Sequence, residues 1–340
     1  MRIALDATYS VGPNLSGVGV YSKQILAGLP AAHAEHCYLY GYRPHHLRLG
    51  LRAPHPDNVT QTLLWGNWPW RVDLFHGLNQ RIDRHYKRTV STFHDLFVMT
   101  AEYSTPEFRA RFAQQARIAA ERSDLIIAVS AFTATQVEDH LAIPRSRIRV
   151  VHHGVLPAAV KSPLSSAIVL FVGAIQKRKN ILRLVQAFEQ TLPGWKLVLA
   201  GSAGFGAEEI LQAIARSPRK QDIEVTGYVA AEALEQLYRT ASIFAFPSLD
   251  EGFGMPVLEA MAHGIPVLTS NISALAEIAG SAALLVNPQS TDEIAAGLTE
   301  LMGSGSIRQD LAERGINHSA HFTWAATMDK TWDVYRELLD

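Results

Sequence analysis

Ile243-Phe244-Ala245-Phe246, followed by Glu251-Gly252-Phe253-Gly254-Met255-Pro256-Val257-Leu258-Glu259, is the stretch on which the reading of the fold turns. Four apolar residues in a row read as a buried strand, and Pro256 suits the first position of a helix, where a missing N–H costs nothing. The helix is expected from about Pro256. That start puts Glu259 in the first helical turn, beside unsatisfied N–H groups and the positive end of the dipole, with Glu251 at the mouth of the loop. Both carboxylates are then expected to point toward one crevice. Gly252 and Gly254 lack a β-carbon, so a ligand can approach the backbone closely and N–H groups can face its oxygen atoms. Taken alone, a glycine-bearing strand-to-helix turn is common in α/β proteins, and either glutamate reads equally well as a structural surface group.

Outward from this unit the same alternation repeats. Strands are expected at 3–7, 36–40, 74–76, 89–93, 125–129 and 149–151, with helices at 106–122 and 131–141 among them; a second series of strands begins at 168–172 and continues at 196–200, 224–226, 243–246 and 267–269. Apolar runs alternating with amphipathic stretches imply β-α units and parallel sheets, hence an α/β protein with two Rossmann-like domains. Residues 157–166, rich in Ala, Pro and Ser and without periodicity, read as the linker, which gives domains at 1–158 and 165–322. Ligands of open α/β sheets sit outside the carboxyl ends of strands, so the substrate is expected in a cleft between the two domains.

Composition narrows the class. The 340 residues, 48% hydrophobic and 19% charged, fit two domains, and the formal net charge of −1 disfavours a nucleic-acid partner. The halves differ: residues 1–160 carry 17 Lys+Arg against 12 Asp+Glu, the remainder 14 against 20. That asymmetry reads either as a basic face toward an anionic partner, such as a phosphorylated lipid or a membrane surface, or as chance scatter. The lone Cys37 excludes an internal disulfide and reads as an inert core residue; with no Cys/His cluster at metal-ligand spacing, a reducing cytoplasm is the expected compartment. No apolar run approaches the roughly 20 residues that span a bilayer, and with an apparent strand directly after Met1 neither a signal peptide nor a transmembrane helix is expected.

Further segments carry chemistry. Phe171-Val172-Gly173-Ala174-Ile175-Gln176-Lys177-Arg178-Lys179-Asn180 is a strand ending in glycine and three consecutive cations, a pattern that suits a diphosphate but, taken alone, reads first as a solvated basic turn. His94-Asp95 follows the strand that ends at Phe93, and Asn14-Leu15-Ser16-Gly17-Val18-Gly19 follows the first strand, with Ser16 able to cap a helix running to Leu29. By itself the G-x-G of Gly17 and Gly19 reads first as a plain turn, and the absence of a complete G-x-G-x-x-G fingerprint counts against nicotinamide or flavin.

The spacing of Glu251 and Glu259 resembles the E-x7-E signature of retaining glycosyltransferases of family 4, whose fold is called GT-B. Gly173 to Asn180 resembles the family's G-x-x-x-x-R-K-N segment, and Thr92-Phe93-His94-Asp95-Leu96 is similar to the H-D element of its mannosyltransferase-like members. The resemblance covers nearly the whole chain. It implies a nucleoside diphosphate sugar as substrate, no cofactor and no required metal. By resemblance Arg178 and Lys179 stabilise the departing diphosphate, and Glu251 with the N–H groups of Gly252, Phe253, Gly254 and Met255 positions the sugar. Glu259 holds the ribose, His94 contacts the sugar, and Asp95 orients His94 or meets the acceptor. Gly17, Gly19 and Gly173 line the donor and acceptor site, while Gly201, Tyr228 and Val229 border the base. His152 and His153 read as structural, and the helix after Thr323 braces the first domain. Many members place an arginine directly after the glycine; this chain has Ala174, leaving Arg178 to serve instead.

The resemblance further implies a mannosyl donor, GDP-mannose first, and a glycan or polyprenyl-linked acceptor in cell-surface polysaccharide synthesis. A nucleotide-sugar epimerase, a glycan phosphorylase or a non-catalytic sugar-nucleotide binding protein would use the same fold. Three of six tryptophans crowd into Trp65-Gly66-Asn67-Trp68-Pro69-Trp70, a cluster that suits peripheral contact with the inner face of a membrane, stacking on acceptor sugars, or core packing.

Overall fold

The computed structural model describes residues 1–12, 14–64, 71–158 and 166–340. The tryptophan cluster at 65–70 and most of the 157–166 segment lie outside the described residues. The chain divides into two compact units, Met1–Gly154 with Thr323–Asp340, and Val155–Phe322.

In the first unit the order is β1 (Arg2–Asp6), α1 (Gly17–Ala32), β2 (Cys37–Tyr42), α2 (Pro44–Gly50), β3 (Val59–Leu63), β4 (Leu74–Gly77) and β5 (Thr89–Phe93). It continues with α3 (Phe97–Thr100), α4 (Pro106–Arg122), β6 (Leu125–Ala128), α5 (Ala131–Leu141) and β7 (Ile148–Val150). The second unit holds β8 (Ile168–Val172), α6 (Ile181–Glu189), β9 (Lys196–Ala200), α7 (Ala207–Arg216), β10 (Ile223–Gly227), α8 (Ala231–Thr240) and β11 (Ile243–Phe246). After these come α9 (Met255–Ala262), β12 (Val267–Ser270), α10 (Ser273–Ala279), β13 (Leu284–Val286), α11 (Thr291–Gly303) and α12 (Gly305–Ser319); α13 (Trp324–Leu339) returns to the first unit.

Every strand pair is parallel. The sheets run β3-β2-β1-β4-β5-β6-β7 and β10-β9-β8-β11-β12-β13, so the order reverses between β1 and β4 in one and between β8 and β11 in the other. Those reversals are where loops diverge and open sheets take ligands. Alternation along β1 feeds two separate cores: Ile3 and Leu5 join one, which includes Met328, Trp332 and Tyr335 of α13, while Ala4 joins the other beneath α4 and α5. A sheet buried on both faces explains why its strands read as continuous apolar runs.

The edge strands β3 and β13 lacked that signal, because each is open to solvent on one side: Val-Thr-Gln-Thr-Leu in β3 is mostly polar, and β13 is three residues long. Cys37 corrects the expectation of a core thiol; it opens β2 at the strand's end and is exposed. Ser16 caps α1, its hydroxyl accepting from Gly19 N–H at 3.4 Å. α13 is pinned by a buried chain of hydroxyl and imidazole groups, Tyr335 OH to His76 Nδ1 at 2.5 Å, His76 Nε2 to Thr92 Oγ1 at 2.8 Å and Thr92 to Tyr21 OH at 2.9 Å.

Candidate active site

In the second unit the two loops at the sheet's reversal point are bound to each other. Leu249 N–H donates to the Arg178 carbonyl at 2.9 Å, and the Asn180 side-chain amide donates to the carbonyls of Pro247 (3.0 Å) and Pro288 (2.6 Å). This double clamp places Arg178 and Lys179, in the turn after β8, against Glu251, in the turn after β11. Lys179 Nζ lies 2.5 Å from Glu251 Oε1 and Arg178 Nη1 lies 2.9 Å from Oε2, with Arg178 also donating to the Asp250 carbonyl. The Lys179 ammonium sits 4.6 Å from the centre of the Phe246 ring.

All three side chains are buried. Burial pushes the Glu251 carboxyl pKa up, but the adjacent Arg178 and Lys179 overcome it and hold the group down to about 2. Glu251 is therefore ionised at any physiological pH, and the three groups together carry one net positive charge. The sequence assigned Glu251 to the sugar alone; the geometry makes it also the anchor that orients both cations.

Glu259 is placed differently from expectation. α9 starts at Met255 behind Gly254, so Glu259 is its fifth residue, past the first turn, and the orphan N–H groups are out of its reach. Its Oε2 instead accepts the Tyr238 hydroxyl at 2.8 Å. Burial raises its pKa, with Tyr238 and His263 acting in the opposite direction. The His263 ring stacks on Tyr238 at 4.8 Å, its Nδ1–H donates to the Glu259 carbonyl at 2.7 Å, and its Nε2 faces Glu235 Oε2 at 2.9 Å. Tyr238, inside α8, carried no motif that could have flagged it; only the packing of α8 on α9 brings it to Glu259.

Gly254 has φ +101°, and a β-carbon there would come within 2.6 Å of the Leu275 side chain. The turn and the packing of Leu275 both require glycine at this position. Met255 is the first residue of α9, and Gly252 and Phe253 are buried, the Phe253 ring meeting Phe322 edge to face at 6.3 Å. A β-carbon on Gly201 would lie 2.0 Å from the Gly173 carbonyl oxygen, so the turns after β8 and β9 touch backbone to backbone. Gly173 N–H is engaged by the Ala200 carbonyl at 2.9 Å. Beside them Tyr228 is exposed and Val229 half-buried.

In the first unit His94 directly follows β5. Its Nε2 lies 3.0 Å from the Leu78 carbonyl, which only accepts, so Nε2 carries the proton and Nδ1 is the acceptor. Gln80 brackets the segment: its side chain accepts from His94 N–H at 3.5 Å and donates to the Asp95 carbonyl at 3.4 Å. Burial lowers the His94 pKa to about 4, the Leu78 contact offsetting part of the drop, so the ring is neutral at pH 7. Burial and neighbouring His94 likewise lower His76, to about 3, and His153 falls well below its ordinary value. His153 stacks beside His94 at 5.4 Å and Tyr21 meets His94 edge-on at 4.9 Å. Gly17 and Gly19, expected as a ligand loop, form the first turn of α1; Gly19 N–H is taken by the Ser16 cap, and a β-carbon there would meet the Tyr9 carbonyl at 2.9 Å.

Among the described residues no cluster of three or more His, Cys, Asp or Glu could hold a metal, and no helix is long and apolar enough to cross a membrane.

Residues 156–318 match the family model "Glycosyl transferases group 1", and residues 15–158 match "Glycosyltransferase Family 4". The chain is 30% identical over 292 residues to O-antigen chain mannosyltransferase B of Escherichia coli, covering 81% of this chain and 77% of that one. Its backbone is similar to sucrose-phosphate synthase from Thermosynechococcus elongatus (TM-score 0.78, 20% identity, 99% of this chain and 98% of that one). It is also similar to Anabaena HepE in complex with UDP and glucose (TM-score 0.77, 16% identity, 99% and 100%). The two parallel sheets, the cation–carboxylate cluster at the β8/β11 reversal and these matches agree: the chain belongs to glycosyltransferase family 4 and has the GT-B fold.

Proposed function

We propose that this glycosyltransferase moves a mannosyl unit from GDP-mannose to a hydroxyl of a glycan or lipid-linked acceptor in surface-polysaccharide synthesis, with retention of anomeric configuration. The observation that carries the reading is the buried pairing of Glu251 with Arg178 and Lys179 at the β8/β11 reversal. Negative charge builds on the nucleoside diphosphate as the glycosidic bond breaks, and cations already oriented need no reorganisation at that moment. The mannosyl choice is supported by the H-D element at His94 and Asp95 and by the Escherichia coli relative's name.

In this reading Arg178 and Lys179 meet the diphosphate, and Glu259 takes the ribose hydroxyls with the oxygen lone pairs that Tyr238 leaves it. Glu251 and the turn from Gly252 to Met255 hold the sugar, and Tyr228 and Val229 border the base. His94 accepts a sugar hydroxyl at Nδ1, a role open to a neutral imidazole. The acceptor attacks on the face from which the diphosphate departs and gives its proton to a phosphate oxygen. Fixed cations supply the charge stabilisation that a metal supplies in other transferases, so EDTA should leave the rate unchanged.

A thermal-shift panel of GDP, UDP, dTDP and their sugars, followed by NMR of the product's anomeric proton, tests this. Stabilisation by guanosine compounds and an α-linked product are expected. Stabilisation by uridine or thymidine compounds alone would sink the mannosyl assignment; an inverted product would sink retention. Turnover of donor to free nucleoside diphosphate without acceptor would point to an epimerase, and dependence on inorganic phosphate to a phosphorylase.

A further inference from the structure

A cavity of about 400 Å³ in the first unit is lined by Arg81, Phe108, Arg111, Phe112 and Gln115. Four of these lie three, four and seven residues apart on α4 and so form one stripe of the helix. The stripe borders the core on one side, where Phe112 packs against the cluster that holds the buried Ala116, Ala119 and Ala120 of the same helix. Phe108 is instead 40% exposed, with the Arg111 guanidinium 5.4 Å from its ring centre and the Phe112 ring 6.3 Å away. Among the described residues Arg111 makes no ion pair. The carboxylate nearest Arg81, Asp83, is shared: it meets Arg81 Nε at 3.0 Å and Arg43 Nη2 at 2.9 Å, while Arg43 also holds Asp6. Two carboxylates, Asp6 and Asp83, against three guanidiniums, Arg43, Arg81 and Arg111, leave one net positive charge at the wall.

The cavity's position is informative as well. Arg81 follows directly on Gln80, the side chain that brackets His94 and Asp95. A guanidinium offers a planar fork matched to phosphate, and phenyl faces beside it suit the apolar portion of an amphiphile or the C–H face of a sugar.

We propose that this cavity binds a phosphate group carried by the acceptor, with Arg81 and Arg111 on the phosphate and Phe108 and Phe112 against the portion next to it. The proposal rests on the transferase reading for the word acceptor, while the anion site itself can be tested without turnover. The phosphate belongs either to a lipid-linked acceptor or to a water-soluble phosphorylated one.

Hydrogen–deuterium exchange across residues 103–116 of the full chain, with farnesyl phosphate, farnesol or inorganic phosphate added, separates these sources. Exchange in that segment is expected to slow about fivefold or more with a phosphate probe bound. Protection by farnesyl phosphate but not by inorganic phosphate or farnesol indicates the lipid source; equal protection by inorganic phosphate indicates the soluble one. Arg81→Gln with Arg111→Gln should weaken the effect at least about tenfold, and Phe108→Ala should weaken only the farnesyl phosphate effect. No protection by either phosphate, protection by farnesol equal to that by farnesyl phosphate, or unchanged protection in the double arginine variant would overturn the proposal. Nucleotide thermal shifts measured on the same variants report folding and donor binding, so failure of the donor reading appears separately, as absent nucleotide stabilisation of the unmodified chain.

Discussion

Two clusters of buried titratable side chains, one in each unit, solve opposite electrostatic problems. After β8 and β11 the second unit buries formal charges, Arg178 and Lys179 on Glu251, and keeps them charged by pairing. The first unit buries His94, just after β5, beside His76 within β4 and His153 after β7, and keeps all three neutral by desolvation. Under the proposed function the fixed charge serves the departing diphosphate and the neutral imidazole a sugar hydroxyl. Which arrangement results is set by whether a counter-charge lies within reach, not by depth of burial.

The largest test breaks the charged side. Lys179→Ala should lower kcat by about 10²- to 10³-fold, as for loss of one preorganised donor to a developing anion. Glu251→Gln should also be severe, and the double variant much less than additive, because the two groups act as one buried pair. Additive losses in steady-state kinetics would show that the pair is not a functional unit. A second test sharpens the contrast by acid. His76 and His94 have folded pKa values below the unfolded 6.5, so their stabilisation is complete above pH 6.5 and is lost as pH falls toward 4 and 3. Glu251, depressed from 4.5 to about 2, loses its contribution only between those values. Exchange protection measured from pH 7 to pH 4 and corrected for intrinsic rates should therefore decline in the first unit before the second. Simultaneous decline, or the reverse order, would contradict the assignment of neutral histidines.

Within the second unit the two glutamates differ in the same way. Glu251 has cations; Glu259 has a phenol, and its raised pKa means that its contribution to stability is present below pH 4.5 and lost as pH rises through the folded value. Glu259→Gln should then hold or raise the melting temperature at pH 7 while weakening donor binding, a signature of a group kept for its ligand. The smallest expected effect is that of Tyr238→Phe: about a tenfold rise in donor KM with little change in kcat, as for one hydrogen bond to a charged group. The donor's preference over its 2′-deoxy analogue should shrink in parallel. An unchanged preference would separate Tyr238 from ribose recognition.

Much of this was legible in the residues themselves. Buried strands such as Ile168–Val172 and Ile243–Phe246 announce themselves because both faces are covered, and capped helices such as Pro106–Arg122 because Thr105 and Pro106 mark the start. The pattern Arg178, Lys179, Glu251 and Glu259 was readable as chemistry through its resemblance to the family's R-K-N and E-x7-E segments; the glycine-bearing turns alone left each of these side chains open to a plain surface role. What the sequence could not hold is which side chain touches which. Tyr238 and Glu259 are 21 positions apart and Lys179 and Glu251 are 72 apart, and an ion pair, a tautomer or a displaced pKa depends on distances that exist only once the strands are ordered. Local pattern determined the elements because backbone preference and alternation act over a few residues. The partners of each buried charge were decided by the crossover order of the sheets, since burial leaves every polar group to find its counterpart wherever the fold has put one.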